Sequence, residues 1–391
     1  MLRALYSAIS GLRSHQTMLD VTGNNIANVN TTAFKASATQ FQDTLSQLTQ
    51  GASGPQAQAG GSNPAQIGLG VQVAAISTNF SQGSAQATGR ATDMMISGDG
   101  FFVVQSGGET LYTRAGSFSF DAGGRLVTPD GALVQGWTAV NGVVPTTGGA
   151  VGQITLPQNA VAPATATTSV TMSGNLPSDI AVGTKLTRDV DVYDATGASR
   201  TLTMEFTRTA TGWDTKATDG ATVVTGAMTF NAGGHVATGG TLTVGGIAID
   251  LSTTTGFADL DTIAASKQDG REPGTLQSFS LSKDGTLVGS FSNGATEAIA
   301  RIALATFTNS GGLEKAGGST YRTSINSGGA TLGTAGSGGI GSLMGGALEM
   351  SNVDLSQEFT NLIVAQRGFQ ANARIITTSD EVLQELTNLK R

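Results

Sequence analysis

The stretch LYSAISGLRSHQTMLDVTGNNIANVNTTAFK, Leu5 to Lys35, decides how the rest of the chain is read. Leu5, Leu12, Leu19 and Ile26 recur every seven residues, with Leu2 and Ile9 beside them. That spacing draws an apolar stripe along one side of a helix. After Gly23 the composition turns to Asn24, Asn25, Asn28, Asn30, Thr31 and Thr32. Asn and Thr side chains compete for backbone hydrogen bonds, so they favour caps and turns over helix interiors. Ile26 is thus the last rung of the helix, and the amides around it mark the exit from it.

The other end of the chain repeats the pattern. Leu355, Leu362, Phe369, Ile376 and Leu383 form a second seven-residue ladder, and Asp354 with Gln357 offers an N-cap arrangement before it. At 1.5 Å per residue the two helices are expected to be roughly 40 and 55 Å long. Neither can hide its stripe alone. An ordinary helical hairpin inside one globular domain is the plain alternative, but no third amphipathic helix lies between the ends to complete a bundle. The spacing favours two terminal helices paired as a coiled-coil rod, outside a β body, with identical rods packed around it. That already implies a polymer.

The middle reads as hairpins. Phe118–Val127 alternates around Asp121-Ala-Gly-Gly124, Phe279–Val288 around Lys283-Asp-Gly285, and Thr229–Val236 around Asn231-Ala-Gly-Gly234. In Asp189–Phe206, Val190 and Val192 precede a turn at Asp194–Gly197, and Leu202, Met204 and Phe206 follow it. One face is apolar and the other polar, as in an antiparallel sandwich or barrel. The fold expected is mainly β with long terminal helices and nested antiparallel β domains. Composition assigns 1–29 and 350–391 to an inner helical domain, and 30–70 and 324–349 to Gly-rich connectors. It assigns 71–144 and 272–323 to a middle β domain, and 145–271 to an inserted outer one.

Composition also narrows the function. A net charge of −7 argues against a nucleic-acid partner. No cysteine exists, so neither a disulfide nor a thiolate metal site can form. The N-terminus carries no continuous apolar run of the secretory kind, and no stretch is long enough to span a membrane. No charged residue lies between Asp43 and Arg90, Asp130 and Asp179, or Arg322 and Glu349. Solvated loops explain such gaps, and so do neutral surfaces that lie against other copies of the chain.

Catalytic patterns are weak. Gly336-Ser-Gly338-Gly-Ile-Gly341 matches a dinucleotide-binding spacing, but no apolar strand precedes it in a segment already rich in glycine. Asp189 and Asp191 share the outer face of a strand, where solvated carboxylates are the expected reading. His15 and His235 have no second histidine or acid cluster nearby, and no G-x-S-x-G elbow occurs. No catalytic, cofactor-binding or metal residues are assigned, and an enzyme is not expected.

Both ends of the chain resemble the axial proteins of the bacterial flagellum. The resemblance rests on residues 5–35 and on ALEMSNVDLSQEFTNLIVAQRGFQANARIITTSDEVLQEL (347–386), with SGDGFFVV (97–104) and YTRAGSFSFDAGGRLVTPDG (112–131) between them. The hairpin at 189–206 and the ending DEVLQELTNLKR are similar to hook-type rather than rod-type members. The resemblance implies a structural subunit exported by the flagellar type III apparatus without a cleaved signal. Such subunits assemble outside the cell into a curved, hollow tube that acts as a universal joint between rod and filament. It implies as partners the subunit itself, the hook cap, the distal rod and the hook–filament junction proteins. The rival readings are a distal rod protein, which leaves the insert unexplained, and a secreted β-rich adhesin, which predicts more exposed aromatics. Ala33 stands where the family commonly has Gly, which implies a tighter or more regular turn after Asn30.

Overall fold

The computed structural model describes residues 2–55, 60–140, 142–145, 149–157 and 161–388. The expected tips of the helical domain at 1 and 389–391 lie outside the described residues. So do 56–59 in the first connector, 141 in the middle β domain, and 146–148 and 158–160 in the insert. The chain is mostly β, with one helix at each end. It divides into two compact units: Met1–Leu156 with Ser280–Val288 and Ala298–Arg391, and Pro157–Phe279 with Gly289–Glu297.

In the first unit, helix α1 (Leu2–Ala27) packs against helix α2 (Leu355–Asn388). They run antiparallel, since Gly11 faces Asn372 and His15 faces Gly368. The approach is close: a Cβ on Gly368 would lie 2.6 Å from the His15 ring and one on Gly11 2.8 Å from the Asn372 amide, so those side chains would have to shift. At the start of α2, the Asp354 carboxylate accepts from Ser356 N (2.9 Å) and Gln357 N (3.3 Å). The Gln357 side chain donates forward to Asn361, so Asp354 caps the helix without a reciprocal box.

Between the helices the chain first makes an antiparallel pair, Ser37–Asp43 with Val71–Thr78, that packs against α1. From it extends a second pair, Ser46–Gln50 with Ala65–Gly68, whose residues are all exposed. The main sheet runs Leu133–Thr138, Phe101–Ser106, Glu109–Thr113, Thr320–Arg322, Glu314–Gly317, antiparallel throughout. Phe101, Tyr112, Trp137 and Tyr321 are core residues of this sheet. Phe101 meets Phe80, Phe307 and Tyr321 edge to face.

In the second unit, five antiparallel strands form a meander from Lys185–Tyr193 to Val236–Thr238. Val192, Leu202, Met204 and Phe206 are fully buried there and share one core with Met172, Ile247 and Ile249 of a second sheet. The purely antiparallel expectation fails in that second sheet. Ser169–Asn175 runs parallel to Ile247–Asp250 and to Thr254–Thr255, and antiparallel to Ala264–Gln268. The chain leaves Asn175, traverses the whole meander and only then returns, a crossover long enough to permit parallel pairing.

Candidate assembly surface and the junction that positions it

The two helices carry the residues that the sequence ladders single out. Leu5, Leu12, Leu19 and Ile26 are half-buried, as are Leu362, Phe369, Ile376 and Leu383, while Leu355 is exposed. The most buried helical positions are smaller or more polar: Ala8, Ser14, Thr22 and Asn25 on α1, and Glu358 and Ala365 on α2. Close packing is therefore carried by small residues between the helices, with the large aliphatic side chains only half covered. A further set on α2 is open to water. Phe359, Ile363, Val364, Ile375, Val382 and Leu386 are each 43–55% exposed. At 100° per residue, Val364, Ile375, Val382 and Leu386 fall along one stripe, apart from the side occupied by Ala365 and Asn372. An apolar stripe of this length left in water marks an interaction surface.

How the helices are held is set by the amide-rich exit from α1. Asn28 N donates to Asn24 O (3.2 Å), the Asn28 side chain donates to the same carbonyl (2.9 Å), and Thr31 Oγ1 donates to Asn28 Oδ1 (3.0 Å). The first two satisfy the Asn24 carbonyl near the helix end, and the third ties the turn that follows it. Asn25 is buried and does something different. Its Nδ2 donates to Ser37 O (2.8 Å) and to Glu358 Oε1 (2.9 Å), and its Oδ1 accepts from Ser37 N (3.0 Å). One amide thus ties α1, the first strand and α2 together. Asn24 and Asn30 are exposed, and Phe34 is half-buried.

Ala33 corrects an expectation. Its φ is 56°, so the turn keeps the left-handed conformation that Gly would adopt freely, rather than becoming more regular. The strain persists because Ala33 is fully buried and its N–H donates to Glu349 O (2.8 Å).

Two residues on, Lys35 is fully buried against Glu349, also fully buried, at 2.7 Å. Lys35 Nζ donates also to Ser81 O (2.7 Å), and Gly83 N donates to Glu349 Oε1 (2.9 Å). Arg114, itself buried over the Phe101 ring, lies 3.6 Å from Glu349 Oε2. Burial lowers the Lys35 pKa, the hydrogen bond and charge of Glu349 oppose that, and the charge of Arg114 reinforces it. Asn352 closes the junction: its Oδ1 accepts from Ala36 N (2.8 Å) and its Nδ2 donates to Asn79 O (2.8 Å). Sequence reading singles out neither Lys35–Glu349 nor Asn352. A lysine and a glutamate 314 residues apart give no local signal.

The patterns weighed for catalysis find packing roles. His15 stacks edge-on with Phe41, and His235 with Phe257. Asp189 is exposed and accepts from Thr203 Oγ1. Gly341, in the Gly-rich run, approaches Ser97 O so closely that a Cβ there would overlap it. No helix among the described residues is long and apolar enough to cross a membrane.

Residues 5–35 match the family described as flagella basal body rod protein, 95–176 the D1 domain of flagellar hook protein FlgE/F/G, and 344–389 the C-terminal region of flagellar basal body rod FlgEFG proteins. The chain is similar to the flagellar hook protein FlgE of Treponema pallidum (strain Nichols), 39% identical with all of both chains covered. It is also similar to that of Borreliella burgdorferi, 38% identical with all of both chains covered. The flagellar basal-body rod protein FlgG of Bacillus subtilis is 36% identical, again over all of both chains.

Proposed function

We propose how this chain, which belongs to the flagellar hook and rod protein family and is a structural subunit of the hook, does that work. Its two terminal helices form the inner layer of a helical homopolymer, a curved hollow tube, and its β domains form the outer layers. The observation that carries this reading is the apolar stripe of α2, exposed in the single chain along most of its length. Copies packed side by side would bury it, and the ladders Leu5–Leu12–Leu19–Ile26 and Leu355–Leu362–Phe369–Ile376–Leu383 would complete a coiled-coil core. The segments 1–29 and 350–391 then supply the core, 71–144 and 272–323 the middle layer, and 145–271 the outer one.

The tube acts as a universal joint, turning with the rod and passing torque to the filament while it bends. Bending requires contacts that slide without one strongly preferred register. Neutral, small-residue surfaces meet that need better than salt bridges do, and the exposed pair Ser46–Gln50 with Ala65–Gly68 lies in the uncharged run 44–89. The chain lies outside the cell, exported through the flagellar type III apparatus without a cleaved signal. Its neighbours along the axis are the hook cap, the distal rod and the hook–filament junction proteins. A straight rod subunit is the second reading, favoured by the rod relative at 36% identity. Electron microscopy of the assembled protein tests both. Curved tubes are expected; straight ones favour the rod, and no polymer under any condition overturns the assembly reading.

A further inference from the structure

The motif that ends α1 also lines a groove of about 790 Å³. Asn24, Asn28 and Phe34 contribute from the helix exit, and Thr128, Lys315 and Thr320 from the β region of the same unit. Its surface is more apolar than polar, with hydroxyl and amide side chains set among Phe34, Leu111, Pro129 and Tyr321. Lys315 is the only cation in that lining. Its ammonium donates to Ser37 Oγ (2.9 Å) and sits 5.2 Å from the centre of the Phe34 ring. Among the described residues no carboxylate lies within ion-pairing distance of it, and Asp130, the one acid in the lining, is outside that distance too. The walls of the groove partly desolvate the ammonium and lower its pKa, although the residue as a whole is exposed. Water therefore solvates Lys315 in the single chain. On a chain of net charge −7, however, an ammonium oriented by Ser37 and Phe34 and left without a counter-charge is a ready partner for an acid from elsewhere.

The groove also has a free sheet edge. Lys315 lies on Glu314–Gly317, the last strand of the main sheet, whose residues are all exposed. Among the described residues that strand pairs only with Thr320–Arg322, through a turn in which Gly317, Gly318 and Ser319 all have positive φ. An edge strand with exposed backbone groups takes up an added extended segment readily.

We propose that this groove receives an extended segment of a second copy of the chain, which lies along Glu314–Gly317 and places a carboxylate on Lys315. The occupant is a second copy because the polymer reading brings copies of this chain together and, with 28 acidic against 21 basic residues, each copy carries carboxylates in excess to meet Lys315. The inference rests on the polymer reading above. It goes beyond that reading in giving the β region a charged, register-fixing contact distinct from the apolar helical one.

The test uses the full chain, comparing Lys315→Glu, Lys315→Arg and Ala316→Trp for monomer melting and for the concentration at which tubes first form. Ala316 is exposed and lines the groove, so filling it there leaves the fold intact. Lys315→Glu and Ala316→Trp are expected to raise the assembly threshold roughly tenfold or more with monomer melting unchanged, and Lys315→Arg to leave it near wild type. Hydrogen exchange at the Glu314–Gly317 amides is expected to be slower in tubes than in monomer. Tubes that form at the wild-type threshold in both Lys315→Glu and Ala316→Trp overturn the inference. Amides that exchange equally fast in tubes and monomer overturn it as well, and then leave the groove to a different protein. Failure of the wild-type chain to polymerise would instead strike the polymer reading itself.

Discussion

The second unit and the helical pair treat their large apolar side chains in opposite ways. In the second unit Val192, Leu202, Met204 and Phe206 are at 0% exposure, enclosed by two sheets of the same unit. On α2, Phe359 and Val364 are 52% and 55% exposed. The β unit is a finished core, whereas the helical pair leaves large apolar side chains in water, as the proposed assembly requires. If the helical pair is the assembly surface, stability and assembly lie in separate parts of the chain, and each can be damaged without the other. The two tryptophans make that measurable, because Trp137 is buried in the first unit and Trp213 in the second. Trp137→Phe and Trp213→Phe backgrounds therefore report the two units one at a time.

The largest effect expected is on assembly alone. Ile375→Asp, on the exposed stripe, and Ile376→Asp, on the ladder, should each abolish tubes while both tryptophan melting curves stay put. Tubes of normal appearance from both variants would erase the distinction drawn here. Next come two substitutions of similar size in opposite units. Phe206→Ala should cost about 3–5 kcal/mol in the second unit and be silent to Trp137. Glu349→Gln should cost about 3–5 kcal/mol in the first unit, because it leaves Lys35 buried and charged without its partner, and be silent to Trp213. Equal losses reported by both tryptophans in urea would mean that the units unfold as one.

A smaller effect depends on pH. Burial pushes the Tyr321 pKa up to about 12; the positive charge of Arg114 opposes this and the negative charge of Glu349 adds to it. The folded value lies above the unfolded one, so the stability gained by keeping Tyr321 neutral is complete below about pH 10 and is lost as pH rises through about 12. The first unit should lose about 2 kcal/mol across that window, and Tyr321→Phe should lack that component. A Trp137-monitored profile identical in the two chains would remove Tyr321 from the account. The smallest effect is at Ala33. Glycine relieves about 1–2 kcal/mol of left-handed strain but gives up a buried methyl worth about 0.8 kcal/mol, so Ala33→Gly should stabilise the first unit by no more than about 1 kcal/mol. A clear loss of stability would show that the methyl outweighs the strain.

Elements whose signal is local are legible in the sequence. The hairpin at Asp194–Gly197 is fixed by the Asp194 carboxylate accepting from Thr196 and Ala198, and alternation places Leu202, Met204 and Phe206 inward. The two terminal helices follow from their seven-residue spacing. Three features needed the fold. The ladders mark where large side chains lie, but Gly11, His15, Gly368 and Asn372 decide how closely the helices meet, and small residues carry no periodic signal. The parallel pairing of Ser169–Asn175 with Ile247–Asp250 depends on what the intervening chain builds. The junction of Lys35, Arg114, Glu349 and Asn352 joins residues hundreds of positions apart, and its members are common surface residue types until burial makes them partners.

The helix exit divides the same way. That α1 stops among Asn24, Asn25, Asn28 and Asn30 is legible without the fold, because short amide side chains bond the backbone locally wherever they stand. Packing then selects Asn25 to bind α2 and the first strand, while Asn24 and Asn30 stay in water. It also keeps Ala33 in a left-handed turn. Local hydrogen-bonding capacity is a property of the residue; which partner it meets, and which strain is tolerated, depends on the surrounding packing.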